Sequence, residues 1–280
     1  MKIAVLSGKG GTGKTFVTVN LAYANNNSVY IDCDVEEPNG HLFFKPKINN
    51  KKDICVKIPV CNDDLCDGCK KCVSFCEFHA LAYINNKLML FDKICHSCGG
   101  CEIICPQKAI SETDKVIGHY EYGYSGKTFI KTGYLKTGET TGIPIIKQLL
   151  KDDINSKDKD IFIDCPPGSS CSVIESIKDS DYCVLVAEPS VFGAHNLQMV
   201  HELVKIYNKP YGVILNKCTK DYNPSYEYCK SNNIDVLESI DFDKELGLLN
   251  SNGYIVAKES TFFYDLFASL LEKIRKGAKI

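Results

Sequence analysis

Nine residues, Ser7–Thr15, constrain this chain more than any other stretch: "SGKGGTGKT". They follow a short apolar, β-branched run, Ile3–Leu6, and lead into a helix-like stretch, Thr15–Ala24. Gly8, Gly13, Lys14 and Thr15 satisfy the spacing G-x-x-x-x-G-K-[ST] between a strand and a helix. Glycines let the backbone curl until its N–H groups point at phosphate oxygens. A lysine at position 14 can then reach the β- and γ-phosphates, and the Thr15 hydroxyl can ligate Mg²⁺. The loop residues Gly8, Lys9, Gly10, Gly11, Thr12, Gly13, Lys14 and Thr15 are therefore the expected nucleotide-binding set.

The rest of the chain has the rhythm such a loop requires. Strand-length apolar runs recur at Val29–Ile31, Ile161–Ile163, Cys183–Ala187, Val213–Leu215 and Val236–Ile240, with helix-like stretches Gly193–Tyr207 and Pro224–Asn232 among them. Continuously apolar strands alternating with helices predict an α/β fold, a mostly parallel sheet covered by helices on both faces. Residues Gly118–Glu139, rich in glycine and alternating in polarity, read as a pair of strands and turns. The last segment places apolar residues at 262, 263, 266, 267, 270, 271 and 274, the spacing of a helix packed on the sheet.

Sixteen cysteines break this rhythm. Cys66, Cys69, Cys72 and Cys76 follow C-x₂-C-x₂-C-x₃-C, and Cys95, Cys98, Cys101 and Cys105 repeat it 29 residues later. Nothing in the chain reads as secretory, and in a reducing compartment such spacing points to metal, not disulfides. Two [4Fe–4S] clusters are expected: one on Cys66, Cys69, Cys72 and Cys105, the other on Cys95, Cys98, Cys101 and Cys76, with the fourth ligand crossing between halves. Zinc on four thiolates is the competing metal. The stretch reads as an inserted α+β ferredoxin-like domain, residues 59–113, interrupting an ATPase domain of residues 1–58 and 114–280. Cys61 is surplus to the pattern, and His79 reads as structural. Cys33, Cys165 and Cys183 lie in apolar strands and read as small core residues.

Charge and hydropathy narrow the partners. A net charge of −2 offers no general attraction to nucleic acid or to an anionic surface. No apolar run approaches the roughly 20 residues of a membrane span, and no signal peptide is evident, so a cytoplasmic protein without an integral membrane segment is expected. Arg275 is the single arginine among 33 lysines and arginines, and it lies far from the loop. Phosphoryl transfer needs positive charge near the γ-phosphate, often supplied by an arginine finger.

The loop "KGGTGKT", with Lys9 five residues before Lys14, resembles that of the MinD/ParA/Mrp group of P-loop ATPases, which includes the nitrogenase iron protein. The resemblance implies a dimer, of identical chains or with a related ATPase, in which Lys9 touches nucleotide bound by the other subunit. It implies that Asp34 of "VYIDCD" orients the attacking water, that Asp32 and Asp164 of "IFIDCPPG" support Mg²⁺ together with Thr15, and that Asn216 of "GVILNK" reads the base. Lys9, Lys14 and Asp34 are then the catalytic set. Cys171 stands where the nitrogenase iron protein has a cysteine on a cluster bridging the dimer, although no cysteine lies between Lys115 and Ile163 to supply a second ligand. A redox-reactive, interfacial or merely packed thiol is the alternative there. Residues from about Cys61 to Glu112 resemble a bacterial two-cluster ferredoxin.

Together these imply an ATP-hydrolysing iron–sulfur protein that gates low-potential electrons towards an unidentified redox partner. Two alternatives stay open: an Mrp-like carrier of iron–sulfur clusters, and a positioning ATPase that binds DNA or membrane.

Overall fold

The computed structural model describes residues 1–151 and 158–278. The phosphate-loop unit comes first: strand β1 (Lys2–Leu6), helix α1 (Lys14–Ala24) and strand β2 (Ser28–Asp32). A one-turn helix α2 (Gly40–Phe44) leads into a long ribbon, β3 (Lys47–Cys61). Beyond it lie α3 (Lys71–Phe75), β4 (Leu81–Ile84), β5 (Lys87–Leu90) and α4 (Gly100–Ile104), before the chain returns along β6 (Ile110–Ser125) and β7 (Thr128–Leu135). The second half reads α5 (Ile143–Lys151), β8 (Asp160–Asp164), α6 (Cys171–Ile177), β9 (Tyr182–Ala187), α7 (Val191–Ile206) and β10 (Tyr211–Cys218). It closes with α8 (Pro224–Ser231), β11 (Val236–Asp241), α9 (Lys244–Ser251), α10 (Val256–Glu259) and α11 (Thr261–Gly277).

The main sheet runs β11-β10-β9-β1-β8-β2-β7-β6-β3. From β11 to β7 every pairing is parallel, and β6 and β3 are added antiparallel at one edge. The central strands are buried on both faces because successive side chains alternate between two cores. Ala4 and Leu6 of β1 join one core, Ile3 and Val5 the other. The first core is closed by α5, α6 and α7, through residues such as Ile145, Val173 and Leu197. The second is closed by α1, α10 and α11, where Phe16 meets Phe267 edge-on at 5.8 Å. Phe267, Leu270, Leu271 and Ile274 are buried, so the last helix packs on the sheet as its spacing predicts. Among the described residues no helix is long and apolar enough to cross a membrane.

The β3–β6 ribbon carries residues 62–109 at its tip as a cap with its own two-stranded sheet, β4–β5. The 29-residue sequence repeat is a repeat of backbone. Helix α3 and helix α4 are offset by it, and the left-handed residues Gly68, Lys70 and His79 recur as Ser97, Gly99 and Lys108.

Candidate nucleotide site

The C-terminal ends of parallel strands converge on one cavity of about 880 Å³, the size of a small-ligand site. Its wall includes Lys9, Lys14, Thr15, Asp34, Asn216 and Phe242. The loop between β1 and α1 passes through left-handed conformations at Gly11 (φ 77°) and Gly13 (φ 97°), which only glycine adopts without strain. Gly13 caps α1, and no side chain covers the helix's first N–H groups. Within the loop, the Thr12 hydroxyl is buried without a hydrogen-bond partner. An orphaned hydroxyl, uncovered helix N–H groups and a glycine cradle together form a fitting receptor for a phosphate chain.

Behind the loop lies a buried charge cluster. Lys14 Nζ donates to Asp164 Oδ1 at 2.8 Å and lies 3.7 Å from Asp34 Oδ2. Asp164 also accepts from Tyr30 at Oδ2 (2.9 Å) and from Thr18 at Oδ1 (3.3 Å). Asp32 is held differently, by the backbone N–H groups of Asp34, Asn39 and Gly40. Burial pushes the Asp32 carboxyl above its usual range, and the charge of Asp164 adds to this. Burial raises Asp34 to about 6, opposed by the Lys14 charge. For Lys14, burial works against the ammonium, but Asp164 and Asp34 outweigh it and hold the proton more tightly than in a free lysine.

Three further side chains complete the rim. The Lys9 ammonium is hydrogen-bonded to Glu188 at the end of β9, and Lys217 Nζ donates to the Gly11 carbonyl at 2.6 Å. Asn216 is buried and donates from Nδ2 to the Thr12 carbonyl at 2.8 Å, bracing the loop from beneath. A Cβ on Gly13 would stand 2.1 Å from that same Nδ2. Gly13→Ala is therefore expected to cost about 2 kcal/mol or more, from left-handed strain plus the clash. A calorimetric melt should show the loss, and unchanged melting with unchanged nucleotide binding would contradict the fit drawn here.

Arg275, the single arginine, pairs with Asp160 at 2.8 Å and with Asn25, at the end of the sheet where β8 begins and away from the loop. It has no access to the site. Glu188, Lys217 and Tyr30 were not expected from sequence. Glu188 ends an apolar run just as Asp164 does, so the same logic could have found it. Tyr30 lies inside its run and carries no such signal.

The cysteines require a correction. Cys66, Cys69, Cys72 and Cys105 border one hollow of the cap, and Cys76, Cys95, Cys98 and Cys101 border another. Yet among the described residues no group of three or more His, Cys, Asp or Glu side chains is arranged to hold a metal ion. Spacing along the chain does not by itself bring thiolates to one point. The Cys76 and Cys105 sulfurs accept from the Ala80 and Ala109 N–H groups, closing their own turns. The two [4Fe–4S] clusters, the zinc alternative, the ferredoxin identity of the cap and the electron-transfer and cluster-carrier functions built on them are accordingly withdrawn. Cys171 stands exposed at the head of α6.

The family described as the CobQ/CobB/MinD/ParA nucleotide binding domain matches residues 3–254. This chain belongs to that family. An uncharacterized protein of Methanocaldococcus jannaschii, MJ0578, is 30% identical over 280 residues, 99% of this chain and 97% of the relative. The fold is that of solved MinD structures. The septum site-determining protein MinD with Mg-ADP from Pyrococcus horikoshii superposes with a TM-score of 0.59 at 18% identity, covering 98% of this chain and 96% of that one. The MinC:MinD cell division complex of Aquifex aeolicus gives 0.60 at 15%, covering 99% and 96%.

Proposed function

We propose that this chain is a magnesium-dependent ATPase of the positioning type, whose nucleotide state switches its pairing with a second copy or a related ATPase. The observation that carries this is the Lys14–Asp164–Asp34 cluster set behind a glycine cradle in a nucleotide-sized cavity. The solved MinD structures support it, one holding Mg-ADP and another a MinC partner. A magnesium ion in such a site keeps waters and phosphate oxygens and needs few protein ligands. Thr15 at the cavity wall, with Asp164 and Asp32 behind it, fits that requirement. The bound ion would supply positive charge against the phosphate oxygens. Lys14 turns from its carboxylates to the phosphates, and Lys9 reaches nucleotide in the paired subunit. Asp34 orients the attacking water, while Asn216 holds the loop and would read the base. The chain divides into an ATPase body, residues 1–58 and 114–280, and an inserted unit, 59–113, which would move with the switch.

Asp34→Asn tests this reading. ATP binding and ATP-dependent dimerisation should survive, while hydrolysis falls by a factor on the order of 10² or more, the scale of losing a positioned base. Because burial raises Asp34 to about 6 and it must be ionised to act, wild-type hydrolysis should fall as pH drops through about 6. The variant's residual rate should lack that limb. A wild-type protein that neither binds ATP nor changes its sedimentation with it would end the proposal.

A further inference from the structure

We propose that Tyr30 is a positioning residue of the nucleotide site, the one undivided donor that keeps Asp164 oriented when Lys14 leaves it for phosphate. This rests on the ATPase function proposed above and adds a residue to it. Among the described residues, Lys14, Thr18 and Tyr30 donate to Asp164, and each stands in a different position. Lys14 holds Oδ1 at 2.8 Å, but it is the group that must reach the phosphates. Thr18 Oγ1 lies 3.3 Å from Oδ1 and 2.8 Å from the Lys14 carbonyl, so its single proton is committed mainly to the backbone. Tyr30 donates to Oδ2 at 2.9 Å and has that one side-chain bond. When Lys14 moves, Oδ1 loses its strong donor while Oδ2 stays gripped, which fixes the edge that the carboxylate presents to the cavity.

The tyrosine is built to stay put. It is fully buried, and its ring packs at 5.0 Å on Phe44 of α2. A Cβ on Gly40 would stand 2.0 Å from the tyrosine hydroxyl, so α2 begins directly over it. Gly40 in turn donates its N–H to Asp32 Oδ2 at 2.9 Å. One short segment thus braces both buried carboxylates, Asp32 through backbone and Asp164 through Tyr30.

Tyr30→Phe removes the hydroxyl and keeps the ring. The readout is binding of a fluorescent ATP analogue to the full chain, titrated with magnesium and repeated in EDTA. Partners that orient metal-supporting groups typically change metal affinity by about tenfold or more. The magnesium midpoint is expected to rise by about that factor, with EDTA-state affinity and circular dichroism unchanged. An unchanged midpoint in a folded variant would overturn the role. Should the variant not fold, the double variant Tyr30→Phe/Asp164→Asn removes the unpaired charge. Its midpoint should equal that of Asp164→Asn alone, and a further rise would mean that Tyr30 acts by another route. Failure of the wild type to bind MgATP would overturn both this role and the ATPase function, whereas a binding wild type with an indifferent Tyr30→Phe removes only the first.

Discussion

Lys14→Ala is expected to abolish MgATP hydrolysis and to lower the melting temperature, and the second loss should shrink as pH falls. The kinetic loss follows from position: a lysine against the transferring phosphate supplies positive charge where negative charge develops. Removing one such electrostatic contact costs a factor on the order of 10² to 10³. The stability loss follows from what Lys14 does in the resting site. It sits as a cation among Asp32, Asp34 and Asp164, and both it and Asp164 are almost fully buried. Breaking such a pair from one side strands a buried charge, worth about 3 kcal/mol. The sign with pH is fixed by the direction of the carboxylate shifts. Asp32 and Asp34 already sit above the usual carboxylate range, and without Lys14 they rise further. A carboxyl raised in the folded state binds protons that the unfolded chain does not, so stability falls as pH rises through that window. The variant's deficit should therefore be largest above pH 7 and smaller near pH 5. Paired thermal melts at those two pH values check this, and a deficit that grows on acidification would contradict the role given to Lys14.

The parallel sheet was legible because its central strands are buried on both faces and so read as unbroken apolar runs, "IAVL" and "IFI" among them. The ribbon strand β3 was not. Its residues, "KINNKKDICVKIPVC", are mostly exposed, and a strand wetted on both sides has no reason to show a two-residue period. At the site, the loop and the strand-end aspartates announced themselves because their spacing is local. Tyr30, Glu188 and Lys217 did not, because what matters about them is a meeting across the fold. Tyr30 and Asp164 are 134 residues apart, and Lys9 and Glu188 are 179.

The cysteine comb shows the same limit from the other side. Its 29-residue repeat was legible, and the backbone repeats with it down to the left-handed residues. Whether eight thiols converge is a tertiary matter that spacing does not decide. For Asn216 too, the motif was visible but the contact was not: its amide reaches under the loop to the Thr12 carbonyl.

Lys9→Ala is expected to leave nucleotide binding within about threefold of wild type while lowering hydrolysis by a factor on the order of 10³. That is the lower range for a charge supplied across an interface. In the single chain the Lys9 ammonium is paired with Glu188, with Lys217 3.8 Å from the other carboxylate oxygen. To act on a neighbouring subunit's nucleotide, Lys9 must leave that pair. The cost is small: its side chain is 36% exposed, and pairs with this much access to water are worth about 1 kcal/mol at most. Glu188→Gln should therefore tighten ATP-dependent dimerisation by no more than about fivefold, without replacing the chemistry that Lys9 provides. The concentration dependence of the rate separates the two effects. Wild-type turnover per chain should rise with protein concentration as dimers form, Glu188→Gln should reach the same plateau at lower concentration, and Lys9→Ala should stay flat and slow. A Lys9→Ala protein that hydrolyses ATP at the wild-type plateau would place the needed charge elsewhere. Among the described residues, Lys14, Lys45 and Lys217 line the same cavity and would be the next candidates.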